Sequence, residues 1–462
     1  MKRIIILFAV LALVLAGCGD PEPTVPSTTA ATEPRPTAPA QERYAAARQA
    51  VENADNLVLE YTKTQSRTVG GNVFTEEVTG TASFRELRQD TMSAVVKQTR
   101  DFGVYCFDYA EAYQDGQAFA LVNGTGFRAE MRPEDFAARQ IPAVLLTESL
   151  YGSVTYQPSV DTVEILFAEP AALESWVGEA EMIEASGTAT LDQEANLMQS
   201  SYRARYSTAQ VQYTLELTVK VAMPEGLDLS AVQIECDPES LLVPDLDLPG
   251  KLVQVVADVY CAQYVSCGIT EVIHSEAIPM SYTQNSKLTL QGSGEALSAD
   301  TAYEMGYSDY RGVVTERTQT ECFRDGAYTV SVDGGEPVED AGVDAEAMRR
   351  YCEDTILSGL FAMKYLKTVT VQTQEEGLRI EFAGNDGFCA DLMAQLASFL
   401  QVDLDGQAQS YVTGKAGGYL VLDPQTGLPT AMGMYLERRH TLDGVSYDLS
   451  YRLDETVTFV AE

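Results

Sequence analysis

Two stretches of this 462-residue chain repeat one another in order, and that constrains the fold more than any other feature. Tyr113-Gln-Asp-Gly-Gln-Ala-Phe119 resembles Phe323-Arg-Asp-Gly-Ala-Tyr328, an offset of 210 at the Asp-Gly pair. At that offset Leu146, Leu150 and Tyr151 match Ile356, Leu360 and Phe361. Val163–Ala168 matches Leu378–Ala383 at 215; Thr190-Leu-Asp192 and Leu197 match Val421-Leu-Asp423 and Leu428 at 231; Tyr213 and Leu215 match Tyr447 and Leu449 at 234. The order never breaks and the offset only grows, as small insertions in the second copy require. The chain therefore reads as one unit used twice, residues 42–228 and 250–462, joined by a linker over 229–249 with Pro238, Pro244 and Pro249 expected on the surface.

Each copy has the same grammar. A helix comes first, Arg43 to Asn53 or Lys251 to Tyr260. Strands with period-2 alternation follow, for example Val73–Phe84 and Ser286–Leu297, with Asp115-Gly116 and Asp325-Gly326 as hairpin turns. Ala143, Leu146 and Leu150, and Ile356, Leu360 and Met363, carry helical spacing. In the second copy this predicts a helix that Cys352 opens and that runs through Leu366. A strand and a second helix come next. The second helix carries Phe388, Leu392, Leu396, Phe399 and Leu400 on one face in copy two, and is shorter in copy one, around Leu173, Trp176 and Val177. A final meander closes each copy. In copy two it contains Asp423-Pro424-Gln-Thr-Gly427-Leu-Pro429, a tight turn in which Pro supplies a fixed φ and Gly a positive one. The fold class is α+β: many antiparallel strands with two central helices, twice over.

The first 41 residues differ in kind. Lys2 and Arg3 precede an uncharged apolar run from Ile4 to Ala16, too short for a spanning helix, which needs about 20 apolar residues. Leu15-Ala16-Gly17-Cys18 ends it. This resembles a bacterial lipoprotein signal. The resemblance implies that residues 1–17 are removed, that the Cys18 thiol takes diacylglycerol, and that the new N-terminus is acylated or left free. Such a protein is lipid-anchored at the cell membrane and faces away from the cytoplasm. Residues 18–41 then form a disordered tether rich in Pro and Thr, with six of the chain's 18 prolines.

The order of elements in each copy, the Asp-Pro-x-x-Gly-Leu-Pro turn and the Cys18 motif together resemble the LolA/LolB and LppX/LprG group of envelope lipoproteins and carriers. The resemblance implies that each copy is a strongly curved, open antiparallel sheet, a half-barrel wrapped around two helices. It also implies an apolar cavity for acyl chains. Function then reads as a membrane-tethered extracytoplasmic binding lipoprotein that holds a lipid, lipoprotein or other amphiphile in an apolar cleft. The alternative is a non-catalytic structural or protein-interaction lipoprotein of the envelope.

The remaining signals are chiefly exclusions. Asp and Glu number 68 against 31 Lys and Arg, a net charge of −37, so nucleic acid and anionic headgroups are poor partners for the general surface. The basic pairs Arg349-Arg350 and Arg438-Arg439 do not extend into clusters. The two histidines, His274 and His440, lie in no catalytic or metal-binding motif, and no nucleophile elbow, phosphate loop or dinucleotide fingerprint occurs. No catalytic residue, metal site or cofactor is assigned, and the chain is not read as an enzyme. Asp403-Leu-Asp405-Gly406 alternates carboxylates before a glycine but lacks the later ligands of a calcium loop, so it reads as an acidic loop. Beyond Cys18 there are seven cysteines, an odd number in a compartment that permits disulfides. Cys352 and Cys389 are expected to open two helices of copy two; side by side, their Cα atoms approach the ~5.5–6 Å separation that a bridge needs.

Overall fold

The computed structural model describes residues 40–142, 153–157, 162–166, 181–192, 196–208, 210–234, 236–276, 280–309, 311–374, 377–400, 411–442 and 445–461. Cys18, the helical stretch after Ala143, the Trp176 segment and the Asp403–Gly406 loop lie outside them. Ala40–Glu462 form one compact unit.

Two large sheets account for most of this unit. The first contains β1 (Leu57–Val69), β2 (Asn72–Arg85), β3 (Ser93–Asp101), β4 (Cys106–Gln114), β5 (Gln117–Val122), β6 (Thr125–Glu130), β7 (Ser153–Gln157), β8 (Thr162–Leu166), β9 (Glu181–Leu191), β10 (Leu197–Ser207), β11 (Gln212–Ala222) and β12 (Leu241–Leu242). The second contains β13 (Tyr264–Ser275), β14 (Met280–Gln291), β15 (Ser298–Ser308), β16 (Val314–Arg324), β17 (Ala327–Val332), β18 (Val338–Asp340), β19 (Leu366–Gln374), β20 (Gly377–Gly384), β21 (Tyr411–Leu422), β22 (Pro429–Leu442) and β23 (Val445–Thr458). The described helices are α1 (Ala40–Glu52), α2 (Pro133–Gln140), α3 (Asp247–Cys261), α4 (Ala345–Ile356) and α5 (Asp386–Leu400).

The first sheet runs β12-β6-β5-β4-β3-β2-β1-β11-β10-β9-β8-β7, and the second runs β18-β17-β16-β15-β14-β13-β23-β22-β21-β20-β19. Apart from β12 the two orders are the same, strand for strand. Every neighbouring pair is antiparallel except β12 on β6. Among the described residues, the matched positions around both Asp-Gly pairs, in Val163–Leu166 and Leu378–Glu381, at Thr190–Asp192 and Val421–Asp423, and at Tyr213 and Tyr447 fall on corresponding strands and turns; Leu146, Leu150 and Tyr151 lie outside the described residues. Asp115-Gly116 joins β4 to β5, Asp325-Gly326 joins β16 to β17, and both residues of each pair have positive φ. That backbone twists with the strands it connects, which is why Asp-Gly is favoured there. Asp192 and Asp423 each begin the turn after β9 or β21. Asp423 Oδ1 accepts from the Gln425 and Thr426 amides at 3.0 and 2.7 Å, and Gly427 has φ +70°.

One large apolar core runs through both sheets, from Tyr44 on α1 to Phe459 after β23, and a small second cluster gathers Val95, Ala112 and Leu229. Around Phe361 the large core is aromatic: Phe382 stacks at 5.7 Å and Phe388 tilts at 4.6 Å between ring centroids. Helix α3 begins where Asp245 Oδ1 accepts from the Asp247 amide at 2.9 Å, and it buries residues on several sides, including Leu248, Leu252, Val255 and Val259. It opens the second half of the chain, yet it packs on β2 and β5 of the first sheet.

Three expectations are corrected. The 229–249 segment is a surface connector only in part: Pro238 and Pro244 are exposed, but Leu229, Val243, Leu246 and Pro249 are buried, and Leu241-Leu242 extends the first sheet. The helix expected from Cys352 through Leu366 ends at Ile356. Asp344 caps its start by accepting from the Ala347 amide at 2.8 Å, so Cys352 lies near its end; the chain then turns, and Leu366 begins β19. The helical spacing of Ile356, Leu360 and Met363 reflects residues packed on one core from a turn rather than one helix face. Finally, Cys352 and Cys389 are both free thiols, as are the other five described cysteines. Cys352 is buried at one end of its helix and Cys389 is part-exposed at the start of another, so the paired geometry assumed for a bridge does not arise.

One acid sits inside the second sheet. Glu455 follows Leu453 in the inward alternation of β23 and is 1% exposed. Neither carboxylate oxygen has a hydrogen-bond partner of ordinary geometry; the Cys267 thiol and Gly359 amide are the neighbouring donors. Burial pushes its pKa well above the usual carboxylate range.

Candidate functional site: a mixed polar and aromatic cleft beneath α3

The inward face of the first sheet is apolar at one end and polar at the other. On β1 the inward positions change from Leu57 and Leu59 to Tyr61, Lys63, Gln65 and Arg67. Cross-strand register continues the polar region: Gln65 lies opposite Glu76, Gly80 opposite Gln98, and Gln98 opposite Tyr109. Gly80 is required here, because a Cβ would lie 2.8 Å from the Tyr61 ring and from the Lys97 carbonyl oxygen. Above this region lies α3, whose Asp247, Lys251, Gln254 and Asp258 fall at i, i+4, i+7 and i+11 on one helical stripe.

These groups interlock. Glu76 pairs with Arg100 and stands 3.9 Å from Lys63. Glu111 accepts from Arg139 at 3.2 Å and from Gln140 at 2.5 Å, and the Tyr109 hydroxyl lies 2.6 Å away. Burial raises the Glu111 pKa against the pull of Arg139, and burial also raises those of Tyr61 and Tyr109. Desolvation lowers that of Lys63, opposed by Glu76. Arg139 also pairs with Asp247. At the other end Arg67 pairs with Asp258, donates to the Thr426 carbonyl oxygen at 2.5 Å and lies 5.0 Å from the Phe74 ring centroid. One arginine thus ties β1 to α3 and to the β21–β22 turn of the second sheet.

Two cavities open along α3 and share Lys251 and Gln254. One, about 630 Å³, lies among Tyr61, Lys63, Arg100, Tyr109 and Arg139. The other, about 560 Å³, lies between the first sheet, the β19–β20 hairpin and the Asp423–Gly427 turn. Its apolar wall is Phe74, Phe102, Leu378 and Leu422; its polar wall includes Gln65, Glu76 and Lys251. Lys251 has no ion pair or hydrogen bond among the described residues. The cleft keeps an apolar wall and adds a polar one, because β1 and α3 each turn a polar stripe inward at this place.

Of the sequence features singled out, the Asp423–Gly427 turn, the matched positions Tyr213, Leu378 and Leu422, the Val73–Phe84 strand through Phe74 and the helix through Lys251 contribute to this cleft. His274 is an exposed residue of β13, and His440 lies on β22. No group of three or more metal-ligating side chains occurs among the described residues. The polar stripe of α3 was visible as Lys251, Gln254 and Asp258 at helical spacing, but only the fold shows that it faces a sheet.

No family model matches the chain, and no curated protein matches it. Solved structures similar to parts of it include LprF from Mycobacterium bovis, 12% identical over 40% of this chain and 91% of that one, with a TM-score of 0.24. A DUF1329 family protein from Desulfovibrio piger is 12% identical over 43% of this chain and 98% of that one, with a TM-score of 0.20. Likenesses of this size carry no argument about fold or function. Among the described residues no helix is long and apolar enough to cross a membrane.

Proposed function

We propose that this chain is an extracytoplasmic binding lipoprotein. It is tethered through Cys18, built from two copies of one curved-sheet unit, and holds an amphiphile in the cleft along α3. The observation that carries this reading is the lining of the 560 Å³ cavity: aromatic and aliphatic side chains on one wall, and on the other Lys251, which has no ion pair among the described residues, beside Gln65, Gln254, Glu76 and Asp423. An apolar tail gains ~25 cal/mol per Å² of surface removed from water against Phe74, Phe102, Leu378 and Leu422. An anionic or strongly polar head finds Lys251 without having to break an existing ion pair. Few catalytic roles suit this lining. In the adjoining 630 Å³ cavity the arginines are held by carboxylates, and Tyr61, Tyr109 and Glu111 are held towards their neutral forms by burial.

Titration of the full chain with a fluorescent long-chain fatty acid tests the reading. Saturable binding is expected, blocked by Leu378→Trp, which fills the apolar wall, and weakened roughly tenfold, about 1.4 kcal/mol, by Lys251→Glu. Saturable binding that neither substitution changes would place the amphiphile elsewhere and overturn the assignment.

A further inference from the structure

The two sheets share a strand order but are not covered alike. On the first sheet, β12 adds to the outer side of β6 in parallel, with Leu241 opposite Phe127 and Leu242 opposite Arg128. The Val243 amide donates to the Arg128 carbonyl oxygen at 2.8 Å, and Arg128 Nε donates to the Ser240 carbonyl oxygen at 3.1 Å. The chain then enters α3, which crosses onto β5. A strand followed by a helix thus closes this end of the sheet, and Ala118, Phe119, Ala120 and Val122 of β5 and Phe127 and Ala129 of β6 are buried.

At the equivalent end of the second sheet, nothing among the described residues takes that place. No strand pairs with the outer side of β18. No residue of β17 is buried, β18 is exposed throughout, and most of β16 from Val314 to Thr320 is exposed. Val338 is 69% and Val314 62% exposed. Of 13 exposed large apolar residues among those described, six fall between Tyr307 and Tyr351. A free edge beside exposed apolar side chains is a site for strand addition.

Charge selects the occupant. Residues 304–340 carry nine Asp and Glu against three Arg. Of these arginines, Arg324 is held by Asp300. Glu336, Glu339 and Asp340 flank Val338 on the edge itself, so the same edge of a second copy is repelled. We propose that the β18 edge and the uncovered face of β16–β17 dock a basic segment of another protein. That segment is extended where it pairs with Val338–Asp340 and helical where it crosses β16–β17. The arrangement is the one that Leu241–Cys261 takes on the first sheet. The site is separate from the α3 cleft and does not depend on what the cleft holds.

The probe is a synthetic peptide of residues 238–261 with Glu239→Lys, Asp245→Lys, Asp247→Lys, Asp258→Lys and Cys261→Ser, added to the full chain and followed by amide hydrogen exchange. Protection confined to β16–β18 is expected, falling as salt rises. Binding should be at least ~10-fold weaker for the same peptide with its acidic residues retained, and for the exposed-site variants Val338→Lys and Glu339→Lys of the protein. No protection at ~1 mM peptide would overturn the proposal. So would protection on β5–β6 instead, or equal binding by the basic and acidic peptides.

Discussion

Replacing Arg67 by Ala should be among the most damaging single changes at a polar residue in this protein. The Asp258 side chain is 1% exposed and that of Arg67 13%. Without the guanidinium, Asp258 keeps one donor, Gln254 Nε2 at 2.9 Å from Oδ1, while Oδ2 has no hydrogen-bond partner even in the intact protein. Stranding a buried charge in this way costs ~3–5 kcal/mol. Arg67→Ala also removes the bond to the Thr426 carbonyl oxygen, worth ~1 kcal/mol net, and with it a link between the two sheets. Asp258→Ala alone leaves Arg67 with access to water and to Thr426, and is expected to cost less. In Arg67→Ala/Asp258→Ala no buried charge remains, so the double change should cost at least ~2 kcal/mol less than the sum of the singles. Equilibrium urea unfolding of the full chain, followed by far-ultraviolet circular dichroism, measures all three. A loss below ~1 kcal/mol for Arg67→Ala, or singles that add within ~0.5 kcal/mol, would refute the reasoning.

Three further outcomes follow from particular residues. Glu455 has a folded pKa raised above its unfolded value of 4.5, so its contribution to stability is intact below pH 4.5 and is lost as pH rises through the folded value. Glu455→Gln should therefore match the parent at pH 4 and exceed it increasingly above pH 4.5, by ~1.4 kcal/mol per pH unit while the buried acid stays protonated; parallel stability curves would count against this. Phe361→Ala empties the centre of the Phe382–Phe388 cluster and should cost ~3–5 kcal/mol in urea unfolding; a loss under ~1 kcal/mol would mean that the cluster is not packed as described. Cys18→Ser should abolish metabolic labelling by a radioactive fatty acid, since the diacylglyceryl group is accepted by a thiol and not by a hydroxyl; equal labelling of the variant would contradict the tether.

The parts of the fold that could be read from the sequence are those set by local chemistry. Asp115-Gly116 and Asp325-Gly326 demand positive φ and fix two hairpins at corresponding places. The alternation in Val73–Phe84 and Ser286–Gln291 marks strands because a sheet buries every second residue, whereas Gly292–Leu297, expected to continue the second of them, forms a turn in which Gly292 and Gly294 have positive φ. Helix α5 was legible from Phe388, Leu392 and Leu396. Errors came where one pattern serves two structures. Ile356, Leu360 and Met363 reach one core from a helix end and the turn after it, which periodicity alone does not separate from a continuous helix. The prolines of 229–249 suggested a solvated linker. Leu229, Val243 and Leu246 between them were the opposing signal: these and Pro249 are buried, while Pro238 and Pro244 remain exposed. The cleft was the least visible part. Lys63, Gln65 and Arg67 on a strand and Lys251, Gln254 and Asp258 on a helix each look like an ordinary solvated face. They become an interior only when α3, from the second half, lies across the first sheet.

An amphiphile held along α3 is tested most directly by native mass spectrometry of the full chain released from its own membrane. The expected spectrum contains, beyond the covalently lipidated polypeptide, a non-covalent adduct of amphiphile mass, released at higher collision energy and missing from Leu378→Trp protein. A spectrum of lipidated polypeptide alone, or an adduct retained in full by Leu378→Trp, would contradict it.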